Sequence, residues 1–161
     1  MSAFLLSVHV LAAILTVGPV AIAASMFPRY ARVALASPGD TKSVSVVNLL
    51  HRITRVYAVI GVLVPVFGLA TAASIGVLGD TWLIISMILT ALAAALLIAF
   101  ILPAQTHVVR AVDSPQDDDS AAPSSTTARR LGMLTGVFNL LWLIVVVLMI
   151  YRPGSTTGVG L

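Results

Sequence analysis

The chain has 161 residues and a net charge of +3; 59% of its residues are hydrophobic and only 9% are charged. Water-soluble domains are about 25% charged, so this composition excludes a soluble globular domain and predicts a protein that crosses a membrane several times. The basic residues stand at the ends of apolar segments, which argues against nucleic-acid binding. The chain has no cysteine, which excludes disulfides, iron–sulfur clusters and thiolate metal sites.

Four apolar segments are long enough to cross a bilayer, which takes about 20 helical residues. They predict an all-α fold, a four-transmembrane-helix bundle in which residues 1–161 form a single membrane domain. The segments cover residues 4–27, 45–78, 81–102 and 131–151. The first lacks the basic region of a cleaved signal sequence, so we expect it to be retained. Gly18-Pro19, and Gly61 with Pro65, should bend or loosen the first and second helices.

The Lys and Arg residues predict the orientation of the helices. All of them except Arg152 fall in the two connections 28–56 and 103–130, which lie on one side of the four spans. Because basic connections remain in the cytoplasm, we expect both termini to lie outside a bacterial cell membrane. Trp82 and Tyr151 then lie near the outer interface, where amphipathic rings are favoured.

The connection between the third and fourth spans is rich in Ser, Thr, Pro and Asp and poor in large apolar residues. Such a segment cannot bury enough apolar surface to offset the entropy lost on ordering it. We therefore expect a long, disordered cytoplasmic loop over residues 104–129.

Small residues recur at four-residue spacing and predict faces for helix packing, because in lipid they let helix backbones approach closely. Three such stripes are Gly68, Ala72 and Gly76; Ala91, Ala95 and Ala99; and Gly132 and Gly136. The second and third stripes are expected in the inner half of the membrane, where they can pair antiparallel. The first is expected in the outer half and needs another partner, either the first helix or a neighbouring protein.

Polar residues inside spans are the usual functional signal of a membrane protein, and this chain has few. No Asp, Glu, Lys or Arg lies in the central part of a predicted span, which argues against a proton relay, an ion-coupled transporter or an ion channel. Asn139 is the most polar group near the middle of the membrane. We expect it to bond a neighbouring helix, with Ser86 and Thr90 as possible acceptors.

His9 lies about two turns into the first helix and has two interpretations. It is either a hydrogen-bonded residue at a helix interface or a ligand for copper or haem. A haem shared with His51 is disfavoured, because His51 enters the second helix from the opposite side of the membrane. Met87 and Met149 are expected at the depth of His9 and could complete a metal site, although methionine is also an ordinary filler of apolar interfaces. We expect no cofactor and retain this metal site as the alternative.

The stretches LLSVHVLAAILTVGP, FPRYAR and LLHRITRVYAVIGVLVPVFGLA resemble a group of uncharacterised four-helix membrane proteins of high-GC Gram-positive bacteria, the actinobacteria. The HVLAA segment is also similar to the CopD-like group, which is linked to copper handling and membrane haem proteins; that resemblance implies a ligand role for His9. Small four-helix proteins of this sort also resemble accessory or assembly subunits of actinobacterial respiratory complexes. This last resemblance implies packing surface without redox chemistry.

These features predict a non-catalytic integral membrane subunit that packs laterally on a larger complex, the respiratory chain or one of its supercomplexes being expected. No soluble catalytic motif is present, so an enzyme is not expected. Packing would use the small-residue stripes and Asn139. Four arginines would meet anionic lipid headgroups or the cytoplasmic surface of a partner: Arg29, Arg32, Arg52 and Arg55. The alternative function is haem or copper binding through His9, and a small-solute transporter using the kinked helices comes third.

Overall fold

The computed structural model describes residues 2–37, 39–113 and 125–154. Every regular element in these ranges is helical. The elements are α1 (Ser2–Ala36), α2 (Thr41–Ile60), α3 (Leu63–Ile75), α4 (Thr81–Leu96), a π-helical turn (Leu97–Ile101), α5 (Leu102–Asp113) and α6 (Ser125–Tyr151). Four helical stretches of the described residues are long and apolar enough to cross a membrane. The predicted four-helix membrane fold is confirmed.

Helix α1 is continuous, although Pro19 and Pro28 both lie inside it. The predicted weak point at Gly18-Pro19 does not interrupt the helix. Its 35 residues span about 52 Å at 1.5 Å per residue, whereas the hydrocarbon core of a bilayer is about 30 Å thick. The helix therefore runs well past the predicted end of the first span at Phe27 and out of the apolar layer.

The predicted second span is broken between Ile60 and Leu63 into α2 and α3. Pro65 has no backbone N–H to give to the carbonyl of Gly61. That carbonyl accepts instead from the N–H of Val64, at 3.1 Å, which tightens the turn. A side chain at Gly61 would begin 3.1 Å from the carbonyl oxygen of Tyr57, so glycine suits this crowded bend. The predicted loosening of the second helix is confirmed.

The third span was predicted to end at residue 102, and the helix itself continues beyond that residue as α5 to Asp113. The π-helical turn precedes Pro103, and the N–H of Leu102 donates five residues back to Leu97. This wider turn accommodates the proline without ending the helix. Gln105 and Val108 of α5 are buried, and α5 packs on α2. The predicted loop 104–129 is thus helical to Asp113 and again from Ser125, and residues 114–124 lie outside the described part of the chain.

The four stretches pack as an antiparallel bundle whose two ends differ. The basic end carries the connection between α1 and α2 together with the end of α5, and the terminal end carries the start of α1 and the end of α6. Helix α1 contacts α2, α3 and α6, while α4 contacts α6. The main core includes Phe27, Ala31, Val47, Ile101 and Leu131. A second cluster, which we call the Trp82 cluster, lies at the terminal end and consists of Ala72, Val77, Trp82 and Leu83.

Candidate functional site

His9 joins α1 to α3 by a side-chain hydrogen bond. Its Nδ1 lies 2.9 Å from the backbone carbonyl oxygen of Val64. A carbonyl oxygen only accepts, so Nδ1 carries a proton and donates it. In the neutral ring the other nitrogen, Nε2, then bears a free lone pair. His9 is therefore a polar contact between helices, the first of the two interpretations of this residue.

Gly68 provides the space in which the imidazole of His9 lies. A Cβ atom at position 68 would lie 2.9 Å from Cε1 of His9, closer than such atoms pack, and 3.2 Å from its Nδ1, which is a tight contact. The stripe that begins at Gly68 thus finds a partner in α1. The other members of this stripe act differently: Ala72 is buried in the Trp82 cluster, and Gly76 ends α3 in the left-handed conformation, with φ of 75°.

A cavity of about 430 Å³ adjoins His9, and we call it the terminal cavity. All four spans line it: Leu6, His9, Val10, Ala13 and Ile14 of α1; Val64, Pro65 and Gly68 of α3; Leu83, Met87 and Thr90 of α4; and Trp142, Val145, Val146, Met149 and Ile150 of α6, with Arg152 beyond. Its size is within the range of about 300–1,000 Å³ that is usual for small-molecule sites. His9, Met87 and Met149 all line this cavity, which agrees with the shared depth expected of them.

The two methionines nevertheless have a packing role. Met87 and Met149 are half-buried and pack against the Trp82 cluster, as flexible apolar side chains commonly do. The described residues contain no group of three His, Asp or Glu side chains arranged to hold a metal ion. In this cavity His9 is the one residue with a strong metal-ligating nitrogen, and a thioether is a weaker, soft ligand.

Arg152 closes the terminal end of this cavity. Its guanidinium carbon lies 5.5 Å from the centroid of the Trp82 ring, within the range of a cation–π contact, and its Nε donates to the carbonyl of Met149 at 3.3 Å. The Trp82 indole in turn donates to Asp80 at 2.9 Å. Sequence reasoning missed Arg152 as a site residue. Arg152 is the one basic residue outside the two basic connections, and this isolation could have singled it out. Its position was used only to predict the orientation of the helices.

Trp142 is the second residue that sequence reasoning missed. Its indole Nε1 is buried and has no hydrogen-bond partner among the described residues. It lines the terminal cavity and also a smaller cavity of about 120 Å³. The two cavities share Pro65, Thr90 and Trp142. The N–H of Trp142 is enclosed by the surrounding side chains at this junction, and leaving a buried donor unbonded costs free energy.

Asn139 does bond a neighbouring helix, but the predicted acceptors are wrong. Its Nδ2 donates to Ser25 Oγ on α1, at 3.0 Å. Ser86 and Thr90 instead donate to backbone carbonyls of their own helix, one turn earlier, a common way for hydroxyl groups to be satisfied in membrane helices. The Asn139 contact therefore links α6 with α1 rather than with α4.

The predicted pairing of the stripes on α4 and α6 is not formed within the chain. Ala91, Ala95 and Ala99 are all exposed, and Ala99 lines a groove beside Leu131 and Leu134 of α6. The buried side of this helix consists instead of Trp82, Leu83, Ser86, Ala93, Leu97 and Ile101. Gly136 is also exposed, with no atom near the place of its missing Cβ, and Gly132 approaches only Pro28 Cγ, at 4.0 Å.

The basic end exposes all four arginines predicted to contact lipid or a partner: Arg29, Arg32, Arg52 and Arg55. Arg29 and Arg32 line a shallow groove on α1.

The other two histidines lie towards the basic end. His51 lies in α2 with Nδ1 3.2 Å from Gln105 Oε1, and His107 is exposed on α5. His51 and Gly68 are 17 residues apart, or about 25 Å of helix. Because His9 lies against Gly68, His9 and His51 are too far apart to ligate one haem.

The comparison with known families decides the identity of the chain. Residues 3–153 match the model of a family described as "Predicted integral membrane protein (DUF2269)". The chain belongs to the DUF2269 family. The match covers nearly all of the chain, including His9, Gly68, Trp142 and Arg152. Membership of DUF2269 and the four apolar helical stretches agree on a multi-pass integral membrane protein. No curated protein and no solved structure matches the chain.

Proposed function

We propose that this DUF2269 protein is a non-catalytic accessory or assembly subunit that packs laterally against a larger membrane complex. The observation that carries the proposal is the exposed stripe of Ala91, Ala95 and Ala99. The bundle packs this helix through its other side and leaves the alanines outside. Large apolar side chains are covered as well by lipid chains as by another protein. An alanine stripe differs, because it lets the backbone of another helix approach closely.

The charge distribution supports a second part of the same interface. We infer that the basic end is cytoplasmic and that both termini lie outside, from the placement of Lys and Arg. The exposed side chains of Arg29, Arg32, Arg52 and Arg55 then meet the negatively charged inner surface of the membrane. Each such residue contributes about 1 kcal/mol to attraction by anionic lipids. A partner with acidic cytoplasmic loops would be held in the same way.

We propose the respiratory chain as the partner complex and an actinobacterial plasma membrane as its location. The support is the resemblance of the N-terminal half to small four-helix membrane proteins of these bacteria, and of the whole architecture to respiratory accessory subunits. The scarcity of ionisable groups inside the spans agrees with a role in assembly.

Purification from native membranes in a mild detergent tests the proposal. The tagged wild-type protein should carry respiratory subunits with it, identified by mass spectrometry. Ala95→Leu should reduce their yield, because the larger side chain holds the partner helix away. Ala70→Leu is the matched control, since Ala70 is also exposed but lies on α3, outside the stripe. Migration of the wild-type protein alone would refute the accessory role, and recovery of a different complex would refute the respiratory assignment.

Haem or copper binding is the alternative function, and one observation favours it: His9, Met87 and Met149 line the same cavity. The absorbance spectrum and metal content of the purified protein test it. A bound group should disappear in His9→Ala and persist in His107→Ala, whose histidine is exposed at the basic end. A colourless, metal-free protein would rule this alternative out.

A further inference from the structure

We propose that the terminal cavity binds an uncharged, lipid-soluble molecule that carries hydroxyl or carbonyl oxygens on an apolar body, the chemistry of a quinol or quinone. The proposal goes beyond the accessory role and does not depend on which complex is the partner. It rests on the lining of the cavity, on two unpaired polar groups beside it and on the side from which it opens.

The lining selects an apolar ligand. Apart from His9, Thr90, Trp142 and Arg152, every residue around the terminal cavity is apolar or glycine. Thr90 has already donated its proton to the carbonyl of Ser86. A charged headgroup placed among these side chains would lose its hydration without compensation. Only the terminal end, where Arg152 lies, suits an anion, so the body of the ligand is uncharged.

Two polar groups then specify what the ligand carries. Nε2 of His9 is an acceptor, because Nδ1 has used the ring proton on Val64, and no other described residue bonds it. Nε1 of Trp142 is a buried donor with no described partner. A hydroxyl group can donate to Nε2 of His9 and accept from Nε1 of Trp142, since it donates one hydrogen bond and accepts others. A carbonyl oxygen satisfies the Trp142 donor alone, so the reduced, hydroxyl-bearing form should bind more tightly than the oxidised form.

The cavity opens towards the bilayer. Its most exposed lining residues belong to α1 and α6: Val10, Ile14, Val146 and Ile150 are 45%, 64%, 49% and 65% exposed. The lining residues of α3 and α4 are less exposed, and Val64 and Leu83 are buried. A ligand dissolved in the membrane can therefore enter sideways between α1 and α6, without crossing water.

The size of the site also fits this class. Trp142 and Ile150 both line the terminal cavity, and the stretch of α6 between them is about 12 Å long at the rise of a helix. The smaller cavity adjoins the terminal cavity at Pro65, Thr90 and Trp142, and Phe138 also lines it. An oxygen-bearing ring can lie between His9 and Trp142, while an attached apolar chain extends into the smaller cavity or back to the opening.

Tryptophan fluorescence tests the proposal directly, because the chain has only two tryptophans and quinones quench indole emission. In Trp82→Phe, the remaining reporter is Trp142 at the junction of the cavities. Titration of the purified full-length protein in detergent with a short-chain alkyl benzoquinone should give saturable quenching. The corresponding alkylbenzene, which lacks the oxygens, should compete at least about tenfold less well for the site, the usual effect of a lost hydrogen bond.

Two variants in the Trp82→Phe background locate the site. Ala13→Phe fills the cavity and should abolish the saturable quenching, whereas Ala70→Phe, an exposed residue of α3, should leave it unchanged. His9→Phe keeps a ring of similar size without the acceptor, so it should weaken competition by the quinol about tenfold and affect the quinone less. This difference separates hydrogen bonding from a merely structural role of His9.

Three results would overturn the proposal. The first is quenching that rises linearly without saturation, or that Ala13→Phe leaves intact. The second is equally tight binding of the alkylbenzene, which would make this a site for hydrocarbon alone. The third is copper or haem bound at His9 in the purified protein. Failure of the accessory role would be seen separately, as the absence of co-purifying subunits.

Discussion

The imidazole of His9 occupies the space that a side chain at position 68 would need. Cε1 of His9 lies 2.9 Å from the place of a Cβ atom on Gly68, while Nδ1 bonds the carbonyl of Val64, one turn earlier on α3. The absent side chain and the hydrogen bond thus belong to one contact between α1 and α3. This contact also fixes which ring nitrogen of His9 keeps a free lone pair, namely Nε2.

Gly68→Ala should lower the stability of the protein by about 1–3 kcal/mol, the usual cost of forcing an extra methyl group into a packed contact. The imidazole must move, and its bond to Val64 weakens. Thermal unfolding in detergent measures the change. In a His9→Ala background the same substitution should cost much less, because the ring is gone. Gly136→Ala is the control, since no atom lies near its missing Cβ. Equal losses in both backgrounds would contradict the contact.

Gln105→Leu should change stability by no more than about 1 kcal/mol, because the two effects of the substitution oppose each other. Gln105 is fully buried; it accepts from His51 through Oε1, but its Nε2 has no described partner. The substitution therefore loses one hydrogen bond and also removes one unpaired donor. Gln105→Glu should destabilise much more at neutral pH, because it buries a charge. A large loss in Gln105→Leu, measured by thermal unfolding, would mean that Nε2 has a partner.

Asp40 makes the start of α2 sensitive to acid. Its carboxylate accepts from the Ser43 hydroxyl at 2.6 Å and from the N–H of Lys42 at 3.2 Å. The hydrogen bond from Ser43 is the main cause of a lowered pKa of Asp40, below its ordinary value of 3.8. A lowered carboxyl pKa stabilises the fold above the ordinary value, and this contribution is lost as pH falls through the folded-state pKa.

Hydrogen exchange at the amides of residues 42–44 measures this effect. Asp40→Ala should speed exchange at pH 7, and the difference from the wild-type protein should shrink below pH 3.8. Leu78→Ala, in an exposed residue of another connection, is the control. A difference that stays constant across this pH range would show that the charge of Asp40 is not responsible.

The orientation can be measured with single cysteines, because the chain has none of its own. Gly79→Cys lies in the exposed turn before α4 and Ser37→Cys in the exposed end of the α1–α2 connection. In intact cells a membrane-impermeant maleimide should label position 79 and not position 37, as the positive-inside rule requires. Both should react after the cells are broken open. The reverse pattern in intact cells would place the termini in the cytoplasm.

The existence of four spans could be predicted because long apolar runs permit few other structures. The full lengths of the helices could not, since α1 and α5 extend beyond the apolar runs. The third span was expected to end at residue 102, yet the helix continues through the π-helical turn before Pro103. The local sequence does not predict that backbone hydrogen bonds here reach five residues back instead of four.

The site was only partly predictable for a related reason. His9 was singled out because a polar residue inside a span is costly, and its position beside Met87 and Met149 followed from depth. Its contact with Gly68 depends on the rotation of α1 against α3, which depth alone leaves open. The alanine stripe of α4 shows the same limit. Small residues indicate that a helix can be approached, but Ala91 and Ala95 do not specify whether the neighbour is in the same chain.

The composition of the complex purified from native membranes tests the accessory role most directly. We expect respiratory subunits to co-purify with the wild-type protein and with Ala70→Leu, whereas Ala95→Leu should lose most of them while remaining folded and inserted. A wild-type protein that purifies alone, or an Ala95→Leu variant that retains all of its partners, would contradict lateral packing through the exposed alanine stripe.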